Sequence, residues 1–238
     1  MNENRWRELW TIPEDIAYLN HGSFGASPKP VQDEFIACSR RLESQPMNMF
    51  LREMEERFDT GLAVLADFLG TARNNLVYVD NATVGMNVVA ESVDLEDGDE
   101  VLVTNHEYGA VTRLWRRKCQ RAGAKLVTCE LPFPLSDRHE IAERLISRVN
   151  DRTKLIVISH VTSLTAVELP VDLVCKAARE RGVPVCIDGP HAVGMIPIDI
   201  RRLECDFYTA SCHKWLSSSF GSGFLFLPPP QPKPTPPA

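Results

Sequence analysis

The sequence that decides the fold is Val183-Pro184-Val185-Cys186-Ile187-Asp188-Gly189-Pro190-His191, followed further along the chain by Ser211-Cys212-His213-Lys214. Residues 183–187 are almost continuously apolar, which is typical of a strand covered on both faces in a mostly parallel sheet. Asp188 then lies at the carboxyl end of that strand, where open α/β sheets bind their ligands. Lys214 follows another apolar run, so the sequence predicts a carboxylate and an amine at one ligand-binding edge.

Short apolar runs alternate with helix-period segments over most of the chain and predict an α/β fold. The predicted strands are 76–79, 101–104, 125–131, 155–161, 183–188, 206–210 and 223–227. The predicted helices are 30–45, 50–69, 84–93 and 171–181, the last of which is followed by the stop signal Gly182. We therefore expect a mostly parallel seven-stranded sheet flanked by helices.

Composition is that of an ordinary globular protein, with 44% hydrophobic and 24% charged residues among 238. This length can bury one substantial core. The 26 basic and 32 acidic residues give a net charge of −6, so we expect no nucleic-acid partner. The short basic cluster between Arg113 and Arg121 is interpreted as the solvated face of a helix.

Seven cysteines make an odd count without a CxxC pair, and several lie inside apolar runs. They are interpreted as small buried side chains in a reducing compartment, and no metal site is predicted. The first residues lack the apolar core of a signal peptide, and no stretch of 18 apolar residues follows. We therefore expect no membrane association and a cytoplasmic location.

Lys214 and Asp188 are the two groups that pyridoxal 5′-phosphate (PLP) chemistry requires. A lysine holds the cofactor aldehyde as a Schiff base, and a carboxylate keeps the pyridine nitrogen protonated so that the ring accepts electrons. The lysine must be desolvated, or lie near another cation, before it acts as a nucleophile at neutral pH. The alternatives are a surface lysine at 214 and, at Asp188, an Asx-turn cap before Gly189-Pro190.

The chain resembles fold-type I PLP enzymes of the aminotransferase class V family, and within that family the isopenicillin N epimerase-like branch. The resemblance is carried by Tyr18-Leu19-Asn20-His21-Gly22-Ser23-Phe24-Gly25, Asn105-His106-Glu107-Tyr108, Ser159-His160-Val161-Thr162-Ser163 and His213-Lys214-Trp215-Leu216. It implies a PLP-binding large domain, an amino-acid substrate, a homodimer, and loss of the substrate Cα proton to Lys214. Transamination, racemisation, β-elimination and desulfuration all remain open as outcomes.

A phosphate site is predicted between the strand 76–79 and the helix 84–93, because a helix N-terminus offers backbone N–H groups to an anion. By resemblance, the donors there are Thr83 and the amide of Ala82, and Ser211 and His213 supply further phosphate contacts. The alternative is a simple N-cap by Asn81 or Thr83.

The remaining contacts to the cofactor ring are implied by the resemblance. His106 matches a histidine that stacks on the pyridine face, and the resemblance makes it a catalytic candidate that fixes the ring plane and assists proton transfer. Tyr108 is a weaker candidate for the same pocket that would serve equally well as a core aromatic. His191 matches a position near the ring oxygen or the Schiff base, although a lone histidine is more often a core residue. Ser163 takes the position of a group that hydrogen-bonds the ring oxygen.

The predicted organisation is an N-terminal segment and helix at 1–45, a PLP-binding large domain at 46–227 and a proline-rich, disordered tail at 228–238. Within the first part, Asn20, His21 and Gly22 resemble a segment that closes over the substrate. Related enzymes continue into a small C-terminal domain that usually carries an arginine for the substrate carboxylate, and by this resemblance that domain is missing here. The sequence leaves two hypotheses: a PLP-dependent enzyme, or a non-catalytic PLP-binding remnant or half of a split enzyme whose partner chain supplies the missing domain.

Overall fold

One mixed sheet organises the chain in the computed structural model, which describes residues 6–132, 134 and 137–229. Its strands are β1 Leu76–Val79, β2 Glu100–Thr104, β3 Lys125–Cys129, β4 Thr153–Ser159, β5 Val185–Asp188, β6 Phe207–Ser211 and β7 Gly223–Phe226. Their order is β1-β7-β6-β5-β4-β2-β3, and β7 runs in the opposite direction to the other six strands. The predicted mostly parallel seven-stranded sheet is confirmed.

Helices connect the strands and cover both faces of the sheet. They are α1 Lys29–Ser44, α2 Pro46–Asn48, α3 Met54–Leu69, α4 Ala82–Ser92, α5 Gly109–Ala122, α6 Arg138–Ile146, α7 Val171–Arg179 and α8 Ile200–Leu203. A π-helical stretch, Met49–Glu53, precedes α3 where the sequence predicted one continuous helix from residue 50. The helix α3 ends at Gly70, whose φ of 66° is the left-handed conformation that glycine adopts without strain.

Strand β4 shows why the apolar run is continuous rather than alternating. Leu155 and Val157 pack into one hydrophobic cluster with Trp115 of α5, whereas Ile156 and Ile158 pack into a second cluster with Val174 of α7. A strand covered on both faces must be apolar at every position. The predicted start of β5 at 183 is two residues early, because Pro184 has no N–H with which to join the ladder.

The N-terminal segment packs directly on the loop that follows β6. The Gly25 N–H donates a hydrogen bond to His213 O at 2.8 Å, and Ser27 Oγ donates to Ser218 O at 2.9 Å. A Cβ atom at Gly25 would lie 2.0 Å from Lys214 O, so only glycine fits this approach. The segment therefore contributes to the position of the loop that carries Lys214.

Several other predictions concern the surface and the termini. The basic cluster lies on α5, where Arg113, Arg116, Arg117 and Arg121 are exposed, as predicted. All seven cysteines are unpaired, and all but Cys38 are buried. Among the described residues no helix is long and apolar enough to cross a membrane. The division at residue 45 and the cytoplasmic location stay predictions, and most of the predicted tail, 230–238, lies outside the described residues.

Candidate cofactor site

A cavity of ≈ 530 Å³ lies at the carboxyl ends of β4, β5 and β6, next to the N-terminus of α4. Its lining includes most of the predicted site residues: Gly22, Ala82, Thr83, Ser163, Asp188, His191, Ser211, His213 and Lys214. Asn20, His21 and His106 are not among the lining residues. The crevice has the volume of a small-molecule site and lies where α/β sheets bind ligands.

Asp188 is the last residue of β5, and its side chain is 3% exposed. Its backbone is held on both sides by the sheet, opposite Ser159 in β4 and Thr209 in β6. Its Oδ1 atom is buried and has no hydrogen-bond partner among the described residues. Burial raises the pKa of Asp188 to about 7, and the nearby Lys214 opposes that rise. A buried carboxylate left without a partner is unfavourable, so this position suits a ligand that carries a positively charged N–H.

Lys214 lies three residues beyond the end of β6 and is partly buried. Its Nζ atom lies 3.2 Å from His191 Nε2 and 5.9 Å from the centroid of the Tyr108 ring. Burial lowers the pKa of Lys214, whereas the Asp188 charge raises it. The amine is therefore closer to its nucleophilic, uncharged form than a surface lysine would be.

His191 is held between two side chains from the loop after β6. Trp215 Nε1 donates a hydrogen bond to His191 Nδ1 at 3.4 Å, and the other ring nitrogen faces Lys214. Burial, together with the smaller effect of the Lys214 charge, lowers the pKa of His191 to about 4. The imidazole is therefore neutral at physiological pH.

The N-terminus of α4 forms the opposite end of the cavity. Asn81 caps the helix by accepting a hydrogen bond from Val84 N at 3.0 Å, which is the cap that the alternative interpretation predicted. The Ala82 N–H donates to Ser211 Oγ at 2.9 Å, so this amide already has a partner. A hydroxyl accepts and donates at once, and Ser211 can thus present its own O–H to an anion while it accepts from Ala82. The positive end of the helix dipole and Thr83 add to an anion-binding surface.

His213 adds a second group without a partner to the same cavity. Its Nδ1 atom is buried and makes no hydrogen bond among the described residues. Its ring packs against Phe220 with the centroids 5.5 Å apart, and burial lowers its pKa.

Tyr108, rather than His106, faces the cavity from the β2–α5 connection. His106 lies in a turn in which its N–H donates to Thr104 Oγ1 at 3.1 Å. Two residues later, Tyr108 is the N-cap residue of α5, and its ring lies over Lys214 Nζ. The stacking residue predicted at 106 is thus placed outside the lining of the cavity, and the weaker candidate, Tyr108, is part of it.

Glu107 is a buried group that the sequence analysis did not single out. Its carboxylate accepts hydrogen bonds from Thr104 Oγ1 at 2.7 Å and from Ser159 Oγ at 2.6 Å. Burial is the main cause that raises the pKa of Glu107 to about 7; the hydrogen bonds from Ser159 and Thr104 oppose the rise, and the charge of Asp188 contributes to it. Periodicity did not separate this glutamate from a surface acid, because the Ser159 that hydrogen-bonds to it is 52 residues away in the sequence.

The predicted closing segment reaches the cavity mainly through Gly22. Asn20 Oδ1 accepts from Ser23 N at 3.2 Å and stabilises a turn, and His21 stacks on Trp215 with the ring centroids 6.2 Å apart. A Cβ atom at Gly22 would lie 3.2 Å from the indole of Trp215. Asn20 and His21 therefore contact the protein rather than the cavity.

Comparison with known proteins identifies the family. The profile of the aminotransferase class-V family matches residues 18–237. The chain belongs to this family.

Its class V relatives include the isopenicillin N epimerases of Streptomyces clavuligerus, 36% identical over 227 residues, and Amycolatopsis lactamdurans, 35% identical over 222 residues. These matches cover 95% and 92% of this chain and 56% of each relative. A cysteine desulfurase of Salmonella newport is 34% identical over 228 residues, which cover 93% of this chain and 55% of the relative.

Two solved structures show the same fold. The complex between the cystine C-S lyase C-DES and its reaction product cysteine persulfide has a TM-score of 0.81 at 24% identity, over 90% of this chain and 57% of that one. The Escherichia coli cysteine desulfurase CsdA has a TM-score of 0.80 at 22% identity, over 96% and 58%. The predicted family and fold-type I architecture are confirmed. The chain spans about half the length of the curated relatives it matches.

The described residues fit PLP, the cofactor that these comparisons support. Asp188 Oδ1 offers a buried acceptor for the pyridinium N–H, and Lys214 offers an amine of lowered pKa. At the other end, Ser211 contacts the α4 N-terminus and His213 lines the same cavity, which suits a phosphate. The unsatisfied Asp188 Oδ1 and the anion-binding end of α4 are thus complementary to the two charged ends of the cofactor.

Proposed function

We propose that this chain is the cofactor-binding part of a PLP-dependent class V enzyme that acts on an amino acid and uses Lys214 as the covalent anchor. The observation that carries the proposal is the buried, partnerless Asp188 Oδ1 in the same cavity as the Lys214 amine. Bound PLP supplies a pyridinium ring that withdraws electrons from the substrate Cα.

Lys214 and Asp188 divide the chemistry of the site between them. Lys214 would hold the cofactor aldehyde through its uncharged amine, and that same amine would serve as the base for the substrate Cα proton. Asp188 would hold the proton on the pyridine nitrogen, and the positive charge beside it would keep the carboxyl ionised.

The other lining residues bind and orient. Ser211, His213, Thr83 and the N-terminus of α4 hold the phosphate, with the Ser211 hydroxyl linking the anion to the Ala82 amide. Tyr108 covers one face of the site, a role that we assign to it in place of His106. His191 and Ser163 remain the candidates for the ring oxygen.

We propose that the substrate is an amino acid, on the basis of the names of the relatives. Those names include isopenicillin N epimerase and cysteine desulfurase, and these two activities change different bonds of the substrate, at Cα and at Cβ. We propose proton transfer at Cα as the step common to the candidate outcomes, which are epimerisation, transamination and elimination or desulfuration.

The covalent link provides the direct test. Purified protein is mixed with PLP, the visible absorbance of the link is recorded, and borohydride reduction is followed by peptide mapping. We expect a single reduced adduct at Lys214, none in the Lys214→Ala variant, and an unchanged adduct in Lys154→Ala, which alters an exposed lysine beside Asp99. An adduct mapped to a different lysine, or no absorbance with millimolar PLP, would sink the proposal.

A second candidate function is PLP binding without turnover, either as a remnant or as half of a split enzyme. It is favoured by the described lining of the cavity, which contains no arginine to hold a substrate carboxylate. Exposed phenylalanines on α1 and α3 favour a second subunit, either another copy of the chain or a separate partner chain. They are Phe35, Phe58 and Phe68. Light scattering across a range of concentrations tests the homodimer, and a constant monomer mass would contradict it.

A further inference from the structure

Three side chains form a continuous path of polar contacts that ends at the candidate anchor lysine. Trp215 Nε1 lies 3.4 Å from His191 Nδ1, and His191 Nε2 lies 3.2 Å from Lys214 Nζ. An indole N–H can donate a hydrogen bond but cannot accept one. His191 Nδ1 is therefore the acceptor and carries no proton in this arrangement.

A neutral imidazole without a proton on Nδ1 carries its proton on Nε2, which faces the Lys214 amine. An ammonium group has three donors and no acceptor, so the contact is a hydrogen bond only when Lys214 is uncharged. We infer that Trp215 is a positioning residue that selects the Nε2–H tautomer of His191 and thereby favours the uncharged amine of Lys214. The tautomer of His191 is a property of the protein without PLP. Only the effect of that tautomer on the capture of PLP by Lys214 rests on the proposed function.

The N-terminal segment packs on the indole of Trp215, and the segment after β5 packs on its backbone. His21 stacks on the indole at an interplanar angle of 23°, and the absent Cβ of Gly22 would lie 3.2 Å from the indole and 3.3 Å from the His191 ring. At Gly194, φ is 84° and a Cβ would lie 2.8 Å from the backbone of Trp215. The segment predicted to close over the substrate thus holds the residue that orients His191.

The groups around Lys214 act on its charge in opposite directions. Asp188 stabilises the ammonium form, whereas burial and the oriented His191 favour the free amine. The ring of Tyr108 and the adjacent His213 also lie near it, and His21 stands behind the indole. Removing the indole N–H should therefore shift the protonation equilibrium of Lys214 toward the ammonium form, which Asp188 favours.

The tautomer can be read directly by 15N NMR of histidine-labelled protein without PLP near neutral pH, with the His191 signal assigned by its loss in His191→Gln. We expect the Nε2–H tautomer in the wild type. Trp215→Phe keeps an aromatic ring beside His21 but lacks the donor, and we expect the Nδ1–H tautomer to become populated. Trp10→Phe is the matched control, because Trp10 Nε1 donates to the backbone oxygen of Ala26 at 2.8 Å, and it should leave His191 unchanged.

A second readout is the pH dependence of the capture of PLP by Lys214. In Trp215→Phe the midpoint should move to higher pH, and below the midpoint capture should slow about tenfold for each unit by which the Lys214 pKa rises. A wild-type His191 that is Nδ1-protonated or doubly protonated overturns the inference, as does a folded Trp215→Phe with an unchanged tautomer. If that variant does not fold, the wild-type spectrum decides. A wild-type Nε2–H tautomer without any PLP link to Lys214 would count against the proposed function and leave this inference standing.

Discussion

Ser159 Oγ donates a hydrogen bond of 2.6 Å to Glu107 Oε2 and ties a fully buried carboxyl group to the wall of the cofactor cavity. Ser159 stands opposite Asp188 in the neighbouring strand, so the two buried acids share one region of low dielectric. Each has its pKa raised to about 7, mainly by burial. The site therefore holds two carboxyl groups whose ionisation is unfavourable unless a positively charged group binds beside them.

The stability of the protein without PLP should reveal the Glu107 proton. Because the Glu107 pKa rises from 4.5 to about 7 on folding, the folded state holds this proton more tightly than the unfolded chain, and stability is lost as pH rises through that range. Glu107→Gln removes the charge, so its stability relative to wild type should increase between about pH 5 and pH 8, by up to about 3 kcal/mol. Urea unfolding of both proteins at the two pH values measures this, and a difference that does not change with pH would contradict it.

Asp188→Asn should move two measurements in opposite directions. Above about pH 7 the variant without PLP should be more stable than the wild type, because a buried carboxylate whose Oδ1 has no hydrogen-bond partner is gone. PLP affinity should fall by about 1.5–3 kcal/mol, or roughly ten- to a hundred-fold in Kd, because an ionic hydrogen bond is lost. Exchange of the substrate Cα proton in deuterated water should fall further. If Asp188 had only a structural role, Asp188→Asn would lower both the stability of the protein and its affinity for PLP. Asp206→Asn is the comparison for that outcome, because Asp206 accepts a hydrogen bond from Val185 N.

Gly25→Ala should separate the N-terminal segment from the lysine loop. Its new Cβ would meet the backbone oxygens of Lys214 and His213, which cannot move aside as a flexible side chain can. We expect a loss of about 1–3 kcal/mol in stability and slower PLP capture. Gly109→Ala is the matched control, since its Cβ would meet only the end of the Arg113 side chain at 3.4 Å. Equal stability of the two variants in thermal unfolding would show that the contact at Gly25 is unimportant.

The 238-residue chain should bind PLP but turn over amino acids slowly by itself. Alignment of reacting groups can supply roughly 7–11 kcal/mol of a barrier. The described cavity residues provide no arginine for a substrate carboxylate, so part of that alignment is absent. Assays with a panel of L-amino acids, alone and with a C-terminal domain supplied from a relative, measure the effect. Rapid turnover by the chain alone would show that its own residues complete the site.

Much of the fold could be predicted from local sequence because the signals are local. The apolar runs fixed all seven strands to within about two residues, and Gly70 and Gly182 marked the ends of their helices. The strongest site signal was also local, since Asp188 ends a buried strand and Lys214 follows another. Parallel strands bring their carboxyl ends to one edge, so these two residues had to be neighbours once the sheet formed.

The rest depended on contacts between residues far apart in the chain. Whether His106 or Tyr108 faces the cavity is decided by one turn before α5, and periodicity carries no information about the direction of a turn. Glu107 is hydrogen-bonded by Ser159 of β4, and His191 is hydrogen-bonded by Trp215 from the loop after β6. In both pairs the two residues are far apart in the sequence. The sequence determined the sheet and the position of its two principal reactive groups, Asp188 and Lys214. Tertiary packing alone decided which polar atoms are buried away from water and which of those have a hydrogen-bond partner.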